Sequence, residues 1–379
     1  MSVQCTLSSR ERLLRTLKGK QVDRVPVSLY EFDGFYDSWI GKYPEYRDIL
    51  EYARGKTDKM YFWSPDWKGI NQFCFTPIEK KMLKTKEWQD GNRRYVRTII
   101  HTPKGNLQST RIVEEGIHTV WQKEHFCKSI EDVEKFLSIP YDPVFPDVSG
   151  FRQGDKRLGD EGILLVDLPD PLCMVAELFS FSDFLSLLLT EEKVIIKLLE
   201  IFYERIHKYL EHLLKNGVIT LYRIVGPEYA TPPYLAPSYF DKFVCKYDKN
   251  LISLIHSYGG LARIHCHGRI RQVLDMIISM QPDALDPIEP PPDGDIELKE
   301  VKKRAGDKIT LMGNIEERCF ETCSKKEIDA LVRKAIEEGA SGGRFVLLPT
   351  AMPLTTPLDP KIKENIIQYI DSGLKYGGY

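Results

Sequence analysis

The run Leu261-Ala262-Arg263-Ile264-His265-Cys266-His267-Gly268 starts as an apolar strand and ends in three metal-capable side chains. Residues two apart on a strand share a face, so His265 and His267 point one way and Cys266 the other. Glu289, in Asp286-Pro287-Ile288-Glu289-Pro290, follows the next apolar segment. Two imidazoles and a carboxylate are zinc-ligand types, and a catalytic zinc keeps a fourth position open. His265, His267 and Glu289 are therefore the expected metal ligands, at the mouth of a barrel, with zinc the expected ion. A lone strand-end histidine would read as an ordinary polar group. The H-x-H spacing with a carboxylate after the next strand is what points to a metal.

Eight short strand candidates position these residues: Val25–Tyr30, Lys59–Phe62, Ile163–Asp167, Ile219–Val225, Leu261–His265, Ala284–Ile288, Ile309–Met312 and Arg344–Leu348. Long amphipathic stretches separate most of them, among them Glu191–Asn216, Ser238–Tyr258, Ile270–Met280 and Lys325–Glu338. Ser8–Lys18 reads as an entry helix capped by Ser8 or Ser9. Strand–helix alternation argues for parallel βαβ units, and eight of them for an α/β fold closed as a (β/α)8 TIM barrel. A doubly wound sheet is the alternative, but no Gly-rich dinucleotide turn follows the first strand. Phe75 to Phe126 breaks the alternation: the runs Tyr95–His101, Leu107–Ile112 and His118–Lys123, with turn residues Thr102-Pro103-Lys104-Gly105-Asn106, predict an antiparallel β insertion covering one end of the barrel. The expectation is one barrel domain over 1–379 with an insertion at about 75–126.

The formal net charge of -2 supplies no basic field for nucleic acid. Leu178–Leu189, the most apolar helical stretch, is short and contains Asp183, so no membrane span is expected. The eight Cys are scattered without a C-x-x-C pair, and residues 1–15 lack the apolar core of a signal peptide. A reducing, cytoplasmic setting with free thiols is expected. The oligomeric state stays open.

Four motifs carry a family resemblance: Arg10–Val27 (RERLLRTLKGKQVDRVPV), Thr102–Leu107 (TPKGNL), His265–Gly268 (HCHG) and Leu311–Ile315 (LMGNI). Spread in this order, they make the chain similar to the uroporphyrinogen decarboxylase superfamily, whose fold is a (β/α)8 barrel. The porphyrinogen decarboxylases of that superfamily carry an Arg-Gln-Ala-Gly-Arg sequence after the first strand. Here the stretch is Leu29-Tyr30-Glu31-Phe32-Asp33-Gly34-Phe35, with two acids and no Arg. The resemblance therefore points to the other branch, the corrinoid-dependent methyltransferases, which use a His-x-Cys zinc site, often with a Glu and a late Cys. His265 matches the family His, His267 stands where the first Cys would be, Glu289 matches the Glu, and Ala351 replaces the last Cys.

A ligand set without thiolate leaves a harder, more Lewis-acidic ion, matched to an oxygen substrate rather than a thiol. The implied reaction is O-demethylation: methyl transfer from a methoxylated aromatic compound to the cob(I)alamin of a separate corrinoid protein. Methanol, a methylamine or a thiol as methyl partner, or a non-catalytic binding role for the barrel, are the alternatives. Tyr30, Phe32, Trp63, Trp67 and Tyr229 fall at or after expected strand ends and are the candidates to stack on an arene. Each is equally a packing residue by type. Glu228 is a fourth ligand, an acid for the departing phenolate or an N-cap, and Asp167 is a weaker polar candidate.

Overall fold

A computed structural model of the chain describes residues 7–30, 43–117, 119–352 and 355–378. Seven parallel strands form one curled sheet: β1 (Lys59–Phe62), β8 (Gly162–Pro169), β9 (Leu221–Val225), β10 (Leu261–His265), β11 (Ala284–Asp286), β12 (Thr310–Ile315) and β13 (Phe345–Pro349), adjacent in that order. The expected first strand closes the ring in an irregular form. Val27 makes a parallel bridge to Leu347 of β13, and Ser28 N donates to Leu347 O at 3.0 Å. On its other side Asp58 N, just before β1, donates to Val27 O at 2.7 Å. Pro26 has no N–H to extend the ladder, which is why this segment bridges without forming a full strand. The fold is a TIM-type α/β barrel.

The opening motif locks this closure. Ser8 caps the helix Ser9–Leu17 by accepting from Glu11 N at 3.1 Å. From that helix Arg12 reaches Asp23 at 2.7 Å and Asp58 at 2.6 Å, while Arg24 holds the other Asp58 oxygen at 2.6 Å. The expected outer helices form as Glu192–Lys215 and Lys325–Gly339, and the Ser238–Tyr258 stretch breaks into Pro237–Phe240, a π-turn at Asp241–Cys245 and Lys246–Ser257. The Ile270–Met280 stretch shortens to Leu274–Ser279.

The insertion leaves from the C-terminal end of β1. A two-residue-strand hairpin, β2 (Gln72–Phe73) and β3 (Thr76–Pro77), precedes a four-stranded antiparallel sheet of β4 (Leu83–Asp90), β5 (Arg93–Thr102), β6 (Gly105–Glu114) and β7 (Val120–Glu124). The β5–β6 turn falls on Pro103-Lys104, with Thr102 opposite Gly105. β4 is not among the expected strands: Leu83 is its one half-buried residue, so it lacks the apolar alternation that marks a strand. His118, expected to open β7, lies outside the described residues. Thr356 N donates to Gly116 O at 2.8 Å, which ties the sheet to the loop after β13. No helix among the described residues is long and apolar enough to cross a membrane.

Candidate functional site

All polar candidates gather at the C-terminal ends of the barrel strands, the face where barrels of this type do chemistry. β10 and β11 pair with His265 directly opposite Asp286 and Arg263 opposite Ala284. His265 Nδ1 lies 2.8 Å from Asp286 Oδ2, and Arg263 forks onto both oxygens of Asp286. Asp286 is fully buried. Burial opposes its charge, but Arg263 and then His265 outweigh that and hold the carboxyl well below the ordinary range.

His267 stands beside His265, with ring centroids 4.6 Å apart and planes at 87°. Its Nδ1 lies 2.7 Å from Glu289 Oε1, while Glu289 Oε2 accepts from Gly268 N at 2.5 Å. Burial pulls the His267 pKa down, and Glu289 more than reverses this, so the imidazole is raised overall. Glu289 is correspondingly lowered: His267 and Gly268 N overcome its burial. The His267 side chain is 38% exposed against 9% for His265, so His267 is the one open to the mouth.

The structure thus brings the two expected histidines together, each with Nδ1 committed to a carboxylate. That suits metal binding through Nε2, since ligating imidazoles typically give their other nitrogen to a carboxylate. Glu289 sits where the sequence reading puts it, but with both oxygens engaged it orients His267 and presents no free donor beside the imidazoles. Among the described residues no three His, Cys, Asp or Glu side chains form a group able to hold a metal. Cys266, between them, is fully buried. Burial, then the charges of Glu228, Glu289, Asp170 and Asp248, push its thiol far up.

Asp167 and Tyr30 come together around a residue that sequence reasoning missed. Arg223, opposite Asp167 on β9, forks onto it at 2.6 and 2.9 Å and also donates to the Tyr30 hydroxyl. The guanidinium lies 4.6 Å from the Phe62 ring centre and 5.5 Å from that of Tyr30. The Asp167 side chain stays 45% exposed. Glu228, in the turn Pro227–Ala230, accepts from Gly226 N at 3.2 Å, a turn contact rather than an N-cap, and its charge helps raise His267. Trp63 packs edge-on to Phe151 and Trp67 stacks on Tyr209, both in the helical layer. Tyr229 packs against Phe181 and Phe184 with its hydroxyl on Glu177. Phe32 lies outside the described residues.

Glu316, directly after β12, was also missed. Its Oε1 is buried without a partner among the described residues, and burial, then Glu289 and Asp293, push its carboxyl up to about 7. A charged residue in mid-strand (Arg223, Arg263) was the signal available for the arginines; Glu316 had none beyond following LMGNI.

A parallel barrel with histidines and carboxylates at its C-terminal mouth defines the class. The uroporphyrinogen decarboxylase (URO-D) family matches residues 126–360, more than half of the chain, and the chain belongs to that family. A methyltransferase from Methanosarcina mazei has a similar structure, with a TM-score of 0.58 over 98% of this chain and 99% of that one at 14% identity. At that identity the likeness shows the fold. A D-psicose 3-epimerase from Clostridium cellulolyticum H10 matches with a TM-score of 0.36 over 60% of this chain and 83% of its own, at 11% identity. No curated protein matches by sequence.

Proposed function

We propose that this chain is a methyltransferase moving a methyl group from a methoxylated aromatic compound to the cob(I)alamin of a corrinoid protein, with zinc at the barrel mouth. The observation that carries this reading is the adjacent imidazole pair, His265 and His267, with both Nδ1 atoms held by carboxylates and no thiolate beside them. Structural likeness over nearly the whole chain to the methyltransferase from Methanosarcina mazei supports it. His265 and His267 would hold zinc through Nε2, and Glu289 could join them only by giving up its bond to His267. When bound, zinc supplies a Lewis acid for the ether oxygen, and reduced cobalamin a nucleophile for the methyl carbon.

The chain's own residues bind and orient. Tyr30 and Phe62 offer aromatic surface braced by Arg223. Asp167, half-exposed, offers acceptor oxygens to a hydroxyl on the arene. Glu316 holds a proton near neutral pH and is the carboxyl suited to give one to the departing oxygen, while Glu228, after β9, lends negative charge to His267.

The test is formation of methylcobalamin and a free phenol from cob(I)alamin and guaiacol-like substrates. His265→Ala and His267→Ala should abolish both zinc content and turnover, while Cys266→Ser keeps the metal. Methyl transfer from methanol or a methylamine, with none from any methoxyarene, would keep the reaction class and sink the substrate.

A further inference from the structure

Two Arg–Asp pairs lie side by side in one row of the barrel sheet, and strand register sets both. Asp167 of β8 lies directly across from Arg223 of β9, which lies directly across from Arg263 of β10. Arg263 reaches Met60 of β1, which places the row inside the barrel. The two pairs differ in what can reach them. Asp286, the partner of Arg263, is 0% exposed and also holds His265, so that pair is sealed. The Asp167 side chain is 45% exposed, and among the described residues its one side-chain partner is Arg223. Each Asp167 oxygen accepts one N–H and keeps a lone pair. Arg223 commits three of its five N–H groups, two to Asp167 and one to the Tyr30 hydroxyl, so donors remain beside those lone pairs. The open pair therefore presents acceptors and donors together, with its two charges cancelling.

We propose that the Arg223–Asp167 pair is the specificity-determining contact for the methyl donor: it takes a neutral hydroxyl and turns away carboxylates and amines. The arene rests on the methyl-transfer reading of this site; the hydroxyl contact does not. A hydroxyl both donates and accepts, so it satisfies Asp167 and Arg223 at once. A carboxylate only accepts, and it meets the Asp167 charge at contact distance. An ammonium group only donates, and it meets the Arg223 charge. Aromatic rings are the usual seat for such a cation. Here the guanidinium already lies 4.6 Å from the Phe62 ring centre and 5.5 Å from that of Tyr30, so a second cation on these rings faces a like charge. The donor class is therefore a methoxyphenol, not a methoxybenzoate or a methylamine.

The test is equilibrium binding, by calorimetry, of guaiacol, anisole and 2-methoxybenzoate to the purified protein. Guaiacol should bind about 10-fold or more tighter than anisole, the size of one hydrogen bond to a charged group. 2-Methoxybenzoate should bind weakest. Asp167→Asn keeps the shape and removes the negative charge, which leaves Arg223 without its counter-charge. Guaiacol should then lose about 10-fold and 2-methoxybenzoate gain about 10-fold, a crossing that a merely structural ion pair would not produce. Anisole equal to guaiacol in the wild type, no binding of guaiacol, or no gain for 2-methoxybenzoate in a folded Asp167→Asn protein overturns the proposal. The wild-type ranking decides the matter if the variant does not fold. Hydroxyl-selective binding without methylcobalamin from guaiacol overturns the methyl-transfer reading instead and leaves the contact standing.

Discussion

Asp170 and Asp248 are both fully buried, and three of their four carboxylate oxygens have no hydrogen-bond partner among the described residues. The fourth, Asp170 Oδ1, accepts from Cys173 N at 2.5 Å. Burial raises both carboxyls well above the ordinary range. For Asp170 the charge of Asp248 adds to this, and Glu228 adds to both. The pair therefore keeps protons that the unfolded chain, with carboxylates at about 3.9, has lost at neutral pH. The sign follows: stability from this pair is greatest below about pH 4 and is lost as pH rises toward the raised folded values. Each retained proton lowers stability by about 1.4 kcal/mol per pH unit across that window. Asp248→Asn removes one such proton at nearly constant volume. Between pH 6 and pH 8 the stability gained by the variant over wild type should grow with pH, by at most about 1.4 kcal/mol per pH unit. Denaturant midpoints at both pH values, read with a shared m-value, measure it. Parallel pH dependences, or a variant less stable than wild type at pH 8, would refute the reasoning that these carboxyls are neutral.

Three further outcomes follow from the same geometry. Gly226 has φ of +129°, and an added Cβ would lie 2.2 Å from Asp170 Oδ1 and 2.5 Å from Cys173 Cβ, so Gly226→Ala should cost about 2–4 kcal/mol in a denaturant titration. Glu316→Gln removes a carboxyl raised to about 7; its stability gain over wild type should grow with pH from about 4.5 and level off above about 7, which melts across that range would show. Turnover of a porphyrinogen should be absent, because no arginine follows the first barrel segment; product analysis showing enzymatic decarboxylation would overturn the methyltransferase assignment.

The barrel was legible because its strands are short apolar runs and its helices repeat at helical period, both local properties of the chain. His265 and His267 were legible for the same reason: a two-residue spacing at a strand end places both on one face whatever surrounds them. Val25–Tyr30 was legible as a barrel segment though not as the irregular bridge that Pro26 makes of it. What the neighbouring groups do was decided by tertiary structure. Glu289 has the right type and position for a ligand, yet whether it faces an ion or His267 depends on how the loop after β11 packs against Gly268. Arg263 and Asp286 lie far apart in sequence and meet through strand register, as do Arg223 and Asp167. Trp63 and Trp67 follow β1 as candidate stacking groups, but their packing turns both rings into the helical layer. Asp170 and Asp248 look like ordinary surface acids in the sequence. Only the packing of the helix Lys246–Ser257 against β10 and the helix Glu192–Lys215 takes Asp248 out of water, and desolvation is a property of the assembled fold rather than of any local run of residues.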